Sequence, residues 1–326
     1  MTDTALVRAF RTTVQFLRDH PRFTKGLQVG IVGATIALCV WAVAGQWHKA
    51  WPLLVHARPQ YLLLALATVT AYYLVFILGW IRMLDEWRIR VPYRLALQAE
   101  MVSMLAKYLP GGVWTPAART VALRRSAGVT DTVTVLTSIL VEAALSAISG
   151  VIVFIVSLAW VRGVDAPLWA LILFALVLAS LLHPRVFRPV SERLLRPFGG
   201  HTIDPLPFAL TMLLLVFYCA TWVLGGFAVF FMMRSLGADP ALSTIPYLGG
   251  VSAVGAIVSV LTVFLPSGLG AREATMYGLL LAVTTSPVAL GVTIINRLAI
   301  TLVEVALFGA GVVGWRPRRR EELLDS

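Results

Sequence analysis

The sequence predicts an all-α polytopic membrane protein with about six transmembrane helices and two re-entrant half-helix hairpins, arranged as an inverted repeat. Of its 326 residues, 59% are apolar and only 13% are charged, and the mean hydropathy is +0.84. Soluble domains have about 45–50% apolar and about 25% charged residues, so this composition excludes an ordinary soluble domain. Apolar runs of spanning length recur along the chain, and two more are interrupted by matched Pro-Gly turns.

The net charge of +11 comes from 27 Lys and Arg against 16 Asp and Glu. The basic residues flank apolar runs instead of forming one stripe, which indicates topology signals and attraction to anionic lipid, with no nucleic acid partner. Cys39 and Cys219 both lie inside apolar runs. We therefore expect neither a disulfide framework nor a metal site.

The chain begins with a basic amphipathic segment, residues 1–25, that predicts an interfacial helix and not a signal peptide. We expect residues 26–315 to form one transmembrane domain and residues 316–326 a cytoplasmic tail. The apolar runs predict spans over Gly26–Gly45, Tyr61–Ile81, Thr132–Trp160, Pro167–Leu182, Pro207–Met233 and Ser286–Trp315.

Two further apolar stretches are interrupted near the middle. Ala96–Ala127 is broken at residues 109–112, and Gly249–Thr284 is broken at residues 265–270. Because Pro removes a backbone donor and Gly permits a sharp reversal, each stretch predicts a re-entrant hairpin of two half-helices. We expect neither half of either stretch to reach spanning length.

Lysine and arginine counts predict the orientation in the membrane. With Arg272 and Arg297 set aside as intramembrane, the layout places 21 basic residues on the cytoplasmic side and 4 outside. Because cytoplasmic loops are enriched in basic residues, both termini are predicted to be cytoplasmic.

The two interruptions match each other. Leu109-Pro110-Gly111-Gly112 aligns with Leu265-Pro266-Ser267-Gly268 at an offset of 156 residues. Three predicted spans separate equivalent points, so the second unit is inverted relative to the first. The repeats cover residues 61–160 and 207–315, approximately. Inverted repeats with broken helices that meet near the bilayer midplane are typical of transporter sites.

Charged residues inside the predicted spans are the candidate functional groups, because each costs at least about 2.5–3.5 kcal/mol at the bilayer centre. Glu100 and Lys107 are seven residues apart on one half-helix, as Arg297 and Glu304 are on the last span, so each pair is expected to share a face. Ion pairing that only fixes helix packing is one interpretation of such charges.

The sharper hypothesis is an anion site at the two turns, where each second half-helix starts with free backbone donors and the positive end of its dipole. Glycines there allow close approach, and nearby arginines suit a phosphate. The candidate substrate-binding residues are Lys107, Gly111, Gly112, Trp114, Arg119, Glu142, Ser267, Gly268, Gly270, Arg272, Glu273, Arg297 and Glu304.

Three stretches carry a family resemblance: Lys-Tyr-Leu-Pro-Gly-Gly-Val-Trp at 107–114 with Arg119, Leu-Pro-Ser-Gly-Leu-Gly-Ala-Arg-Glu at 265–273, and Ile-Ile-Asn-Arg at 294–297. With them the chain resembles the flippase-like transmembrane domain of the lysylphosphatidylglycerol synthase family. The resemblance implies lipid translocation across the bacterial cytoplasmic membrane. It departs from the commoner pattern at residues 114–116, where a Gly-Glu pair is usual, and this leaves the lipid unassigned. Because only residues 316–326 follow the last span, lipid aminoacylation is not expected.

We therefore predict a lipid translocase, not an enzyme, that moves an anionic phospholipid or a polyprenyl-phosphate-linked glycolipid without a cofactor, and we leave a homodimer open. One alternative is a membrane glycosyltransferase or other lipid-modifying enzyme, although the sequence lacks Asp-x-Asp, HExxH and GxSxG motifs. The other is an ion or solute transporter of the same architecture, since fold alone does not fix the cargo.

Overall fold

The computed structural model describes residues 52, 55–108, 114–164, 166–195, 203–262, 268 and 270–313. Within these residues every regular element is helical, as predicted. The interfacial segment 1–25, the predicted span Gly26–Gly45 and both turns of the predicted hairpins, except Gly268 and Gly270, lie outside the described residues.

The helices follow one another along the chain in two similar series, separated by a short bent pair. They are α1 (Pro59–Glu86), α2 (Tyr93–Ser103, continued by a 3₁₀ turn over Met104–Tyr108), α3 (Trp114–Ala127), α4 (Thr132–Ser157), α5 (Leu168–Leu182), α6 (Pro184–Leu195), α7 (Phe208–Ser235), α8 (Ile245–Leu261, preceded by a 3₁₀ turn over Leu242–Thr244), α9 (Ala271–Leu280) and α10 (Ser286–Val313).

Local sequence explains where the helices start. Pro59 opens α1, where its missing N–H would have no intrahelical partner and its fixed φ already suits a helix. Asp131 caps α4, because its side chain accepts hydrogen bonds from the backbone N–H of Thr134 at 3.0 Å and from the Thr134 hydroxyl at 2.7 Å. Local sequence therefore specifies the first residue of both helices.

Five helical segments are long and apolar enough to cross a membrane. Four of them, α1, α4, α7 and α10, correspond to predicted spans. The fifth is Leu242–Leu261, which comprises 20 residues and contains the first half of the second predicted hairpin. The prediction that neither half of that stretch reaches spanning length is therefore wrong. The helix starts at the Leu242–Thr244 turn, upstream of the Gly249 boundary read from the sequence.

The predicted span Pro167–Leu182 also needs correction. Its helix α5 has 15 residues, which is too short to cross a membrane. Only α5 together with Pro184–Arg193 of α6 is long and apolar enough. The two helices are bent by 76° at the break. Pro184 disfavours helical backbone at the residue before it, and His183 is extended with ψ of 134°, so the helix ends there and the chain turns.

The helices contact one another in a reciprocal pattern. The first long helices of the two series, α1 and α7, pack along each other. The short helix α2 of the first series packs against α10 of the second, and α8 of the second packs against α4 of the first. In the same way α4 contacts α7 and α10 contacts α1. The two series therefore interlock and do not form separate bundles.

Glycines allow α8 to approach two neighbours closely. A Cβ atom added to Gly226 of α7 would overlap the backbone oxygen of Ile245 and lie 2.7 Å from the nitrogen of Gly249. On the opposite side, a Cβ on Gly250 would lie 2.6 Å from Cα of Phe154 in α4. Small residues at such contacts are the usual means by which membrane helices pack backbone to backbone.

Replacing Gly226 with alanine should destabilise the protein by about 1–3 kcal/mol, because rigid backbone atoms cannot move away from the new methyl group. Gly309 of α10 is the matched control, since nothing lies within 4 Å of a Cβ built there. Gly309→Ala should be neutral or stabilising, because alanine favours helix over glycine by about 1 kcal/mol. Denaturant titration of the purified protein in detergent measures both, and equal stability of the two variants would contradict the packing argument.

Candidate functional site

The first buried charge cluster centres on Arg119 of α3. Its guanidinium forms ion pairs with Glu100 of α2 and Glu142 of α4. Cζ of Arg119 lies over the ring of Trp80, 4.2 Å from the ring centroid. This cation–π contact stabilises the positive charge where water is excluded. The hydroxyl of Tyr218 donates to Glu142 at 3.4 Å. Five helices, α1, α2, α3, α4 and α7, thus contribute to the cluster of Arg119 and two carboxylates.

The second cluster joins the end of the first half-helix to the last span. The ammonium group of Lys107, in the 3₁₀ turn, donates to Glu304 of α10, and so does the hydroxyl of Tyr73 in α1. Glu304 is almost completely buried, at 1% side-chain exposure. Glu100 and Lys107 were expected to share a face, but they reach partners on different helices. The change from α-helix to 3₁₀ geometry after Ser103 alters the angular step between them.

A third group of charged residues, Glu273 and Arg297, lies at the start of α9. The backbone N–H of Gly270 donates to Glu273 at 2.7 Å, and the other carboxylate oxygen of Glu273 lies 3.4 Å from Arg297 of α10. Gly270 has a φ of +85° and Gly268 a φ of +63°, conformations that residues with a Cβ rarely adopt. The prediction of a free backbone donor at this helix start is wrong for Gly270, because the chain's own carboxylate occupies it.

Arg272 differs from the other predicted arginines. It is partly buried at the second position of α9, and among the described residues it has no carboxylate partner. Its side chain lines a cavity of about 180 Å³ between five helices. A single water molecule needs about 10–15 Å³ by the same measure, so the cavity has room for a polar headgroup. The described residues that line it are Val69, Tyr72, Tyr73, Trp222, Gly225, Ala228, Ser252, Ala256, Arg272, Asn296 and Ile300.

Sequence reasoning missed most of the polar residues in this cavity. Asn296, within the Ile-Ile-Asn-Arg stretch, is buried and donates to the sulfur of Met276 at 3.4 Å. Tyr72 and Tyr73 bring hydroxyl groups into an otherwise apolar span. That feature was visible in the sequence, because buried tyrosine hydroxyls need a partner. Ser252 and Trp222 carried no comparable signal.

Among the described residues, the other predicted site residues do not line the cavity. Trp114 is the first residue of α3 and is 42% exposed. Gly111, Gly112 and Ser267 lie outside the described residues. Gly268 contacts α8, where a Cβ on it would lie 2.5 Å from Cα of Ser259. The roles of these residues in binding stay predictions.

The described residues contain no group of three or more His, Cys, Asp or Glu side chains that could hold a metal ion. Apart from Arg272, the buried charged residues named above form two pairs and one triad. The absence of catalytic residues remains an expectation from the sequence.

The fold and the site define a class: a multi-pass helical membrane protein with ion pairs and a polar cavity among its spanning helices. The model of the family described as "Lysylphosphatidylglycerol synthase TM region" matches residues 27–309. The chain therefore belongs to the lysylphosphatidylglycerol synthase transmembrane family, as the sequence motifs predicted. No individual curated protein matches the chain significantly.

Stability measurements separate the two kinds of arginine. Arg119→Ala should lower the free energy of unfolding by about 3–5 kcal/mol, because it leaves two carboxylates buried without their cation. Arg272→Ala breaks no ion pair within the described residues, so its effect should stay within about 1 kcal/mol. Denaturant titration in detergent provides both values. A large loss in Arg272→Ala with none in Arg119→Ala would reverse the assignment of the two residues.

Proposed function

We propose that this protein is a lipid translocase that holds an anionic lipid headgroup at Arg272 while the lipid crosses the membrane. One observation carries the proposal. Among the arginines inside the spanning bundle, Arg119 and Arg297 face carboxylates of the protein, whereas Arg272 faces a cavity. A cation kept in a membrane interior needs a partner or a task, and an anionic ligand would supply the partner.

The cavity offers chemistry that suits a phosphate. A guanidinium presents several N–H groups in a plane and binds phosphate oxygens in a bidentate manner. Tyr72 and Asn296, whose amide has two N–H groups, can donate to a ligand there. The hydroxyls of Tyr73 and Ser252 already donate to groups of the protein. A phosphodiester of a phospholipid and a polyprenyl phosphate share this chemistry, so the proposal covers both substrate classes.

A second, apolar space lies on the other side of α8. Ser252 and Ala256, one turn apart, face the polar cavity, while Val254 and Val258 face a groove of about 620 Å³. The groove runs between α5, α8 and α9, and its lining is almost entirely apolar. Such a surface suits the hydrocarbon part of the lipid.

The reciprocal packing supports an inverted repeat as the basis of transport. Contacts between α2 and α10 mirror those between α8 and α4, as a twofold relation between the two helix series requires. In transporters of this architecture, one repeat rocks against the other around a fixed site. The Lys107–Glu304 pair joins the two series at one of these mirrored contacts, so such a movement would strain or break it.

We further propose the bacterial cytoplasmic membrane as the location, with both termini cytoplasmic, because 21 basic residues then lie inside and 4 outside. The protein is proposed to act without catalysis or a cofactor, with lipid as its partner. A lipid-modifying enzyme and a solute carrier are outcomes of the following test.

Proteoliposomes containing fluorescent phosphatidylglycerol test the function. The wild-type protein should speed the appearance of the dye in the outer leaflet, measured by chemical quenching, and Arg272→Ala should reduce that rate at least about tenfold through the loss of a charged hydrogen bond. Arg272→Lys should retain part of the activity, because it keeps the charge without the planar fork. Arg162→Ala changes an exposed loop arginine and is the matched control.

A second set of vesicles carries a fluorescent polyprenyl-phosphate sugar, so that the two substrate classes are compared directly. Translocation of neither lipid, together with uptake of a soluble solute, would refute the proposal in favour of a carrier. Chemical modification of either lipid would favour the enzyme.

A further inference from the structure

The cluster around Arg119 carries more negative than positive charge. Glu100 and Glu142 share one guanidinium, and no other cation forms an ion pair with either carboxylate in the described part of the chain. The side chains of Arg119 and Glu142 are 4% and 5% exposed, and that of Glu100 is 17% exposed. With both carboxylates ionised, the cluster would hold one uncompensated negative charge inside the bundle.

Neighbouring groups do not balance that charge. Facing the cluster are Trp80 of α1, which stacks on the guanidinium, and Tyr218 of α7, which donates to Glu142. Both are neutral. Arg94, six residues before Glu100, is exposed, and Lys107, seven residues after it, is bound to Glu304. Oε2 of Glu100 is buried and contacts the guanidinium of Arg119, and no other donor of the described residues reaches it.

We propose that the Glu100–Arg119–Glu142 cluster binds one proton, shared between the two carboxylates, and that this proton is carried together with the anionic headgroup at Arg272. Protonation converts one carboxylate to a neutral carboxylic acid, which leaves one carboxylate paired with Arg119. The reverse step returns the proton to water on the other side of the membrane. The site belongs to the pair of carboxylates and not to one of them, because interacting acids titrate together.

Charge balance explains why the two sites should be coupled. When the cavity is empty, the excess positive charge of Arg272 offsets the excess negative charge of the cluster. An anion at Arg272 removes that offset, and a proton on the cluster restores neutrality. A net charge in the membrane interior raises the free energy of any rearrangement that moves it through the hydrocarbon. The state with a bound anion is therefore expected to bind one proton.

The two sites are also physically connected. Tyr72 lines the cavity. Its ring packs against Phe76 with centroids 5.4 Å apart, and Phe76 packs against Tyr218 at 5.0 Å. Tyr218 in turn contacts Glu142. A chain of three aromatic rings therefore connects the cavity with the proton site. The coupling rests on the proposed function, whereas the proton site does not.

Infrared spectroscopy of the purified protein tests the proton site without any transport. With an alkyl phosphate, which has no carbonyl group, added at neutral pH to fill the cavity, the wild type should show the carbonyl stretch of one buried protonated carboxyl group. Glu142→Gln and Glu100→Gln should each lose this band, since one carboxylate then remains for Arg119. Glu86→Gln, which removes a carboxylate paired on the surface of α1, should leave the band unchanged. Absence of the band in the wild type, or its persistence in both cluster variants, would overturn the proton site. Two variants are used so that poor folding of one does not decide the result.

A pH gradient across the proteoliposomes tests the coupling. For one proton per lipid, a gradient of about one pH unit should drive up to about a tenfold unequal distribution of fluorescent phosphatidylglycerol between the leaflets. Glu142→Gln should equilibrate the lipid evenly whatever the gradient. A wild-type protein that moves lipid rapidly but distributes it evenly, or one driven instead by a sodium gradient at equal pH, would overturn the coupling. The infrared band without lipid movement under any gradient would refute the proposed function and leave the proton site in place.

Discussion

Charge placed inside a bilayer has to be neutralised by the protein itself, because the hydrocarbon offers neither water nor counterions. The interior of this bundle follows that constraint closely. Arg119, Lys107 and Arg297 each face a carboxylate that comes from another helix. Glu100 is 19 residues from Arg119 in sequence, and Glu304 is 197 residues from Lys107. The ion pairs therefore join elements that apolar contacts alone would leave free to slide. The helix arrangement and the polarity of the cavity both depend on which charges are paired.

Apolar packing and charge pairing act at different places along the helices. The close contacts of α8 with α7 and α4 depend on Gly226, Gly249 and Gly250, where backbones meet without side chains between them. Two of the three charged groups lie where short helices end or start, Lys107 with Glu304 at the 3₁₀ turn after α2 and Glu273 with Arg297 at the start of α9. Broken helices thus bring polar side chains and backbone ends to the interior without exposing them to lipid, which is tolerated only when protein surrounds them. Among the described residues Arg272 is the interior arginine without a carboxylate partner, and the proposed function rests on it.

The proposed proton site would make neutrality a property of the transport cycle as well as of the resting fold. A cluster with one carboxylate too many and a cavity with one cation too many balance each other only while the cavity is empty. A bundle that must be neutral to rearrange then couples two ligands without any direct contact between them. Reciprocal coupling of this kind requires only that each ligand changes the free energy of the same movement.

The sequence by itself determined the helical class, the long spans and the residues at which charge is buried, because each depends on composition along a continuous stretch. Spanning length depends on the run of apolar residues, and the Pro-Gly interruptions of the second hairpin lie just after α8 ends at Leu261. The length of α5 and the early start of α8 were misjudged, since a helix end depends on local backbone conformation as well as hydropathy. Only the tertiary structure decided which arginine is neutralised and which faces a cavity. Arg119 and Arg272 look alike in sequence, and their surroundings come from helices that the chain brings together across most of its length.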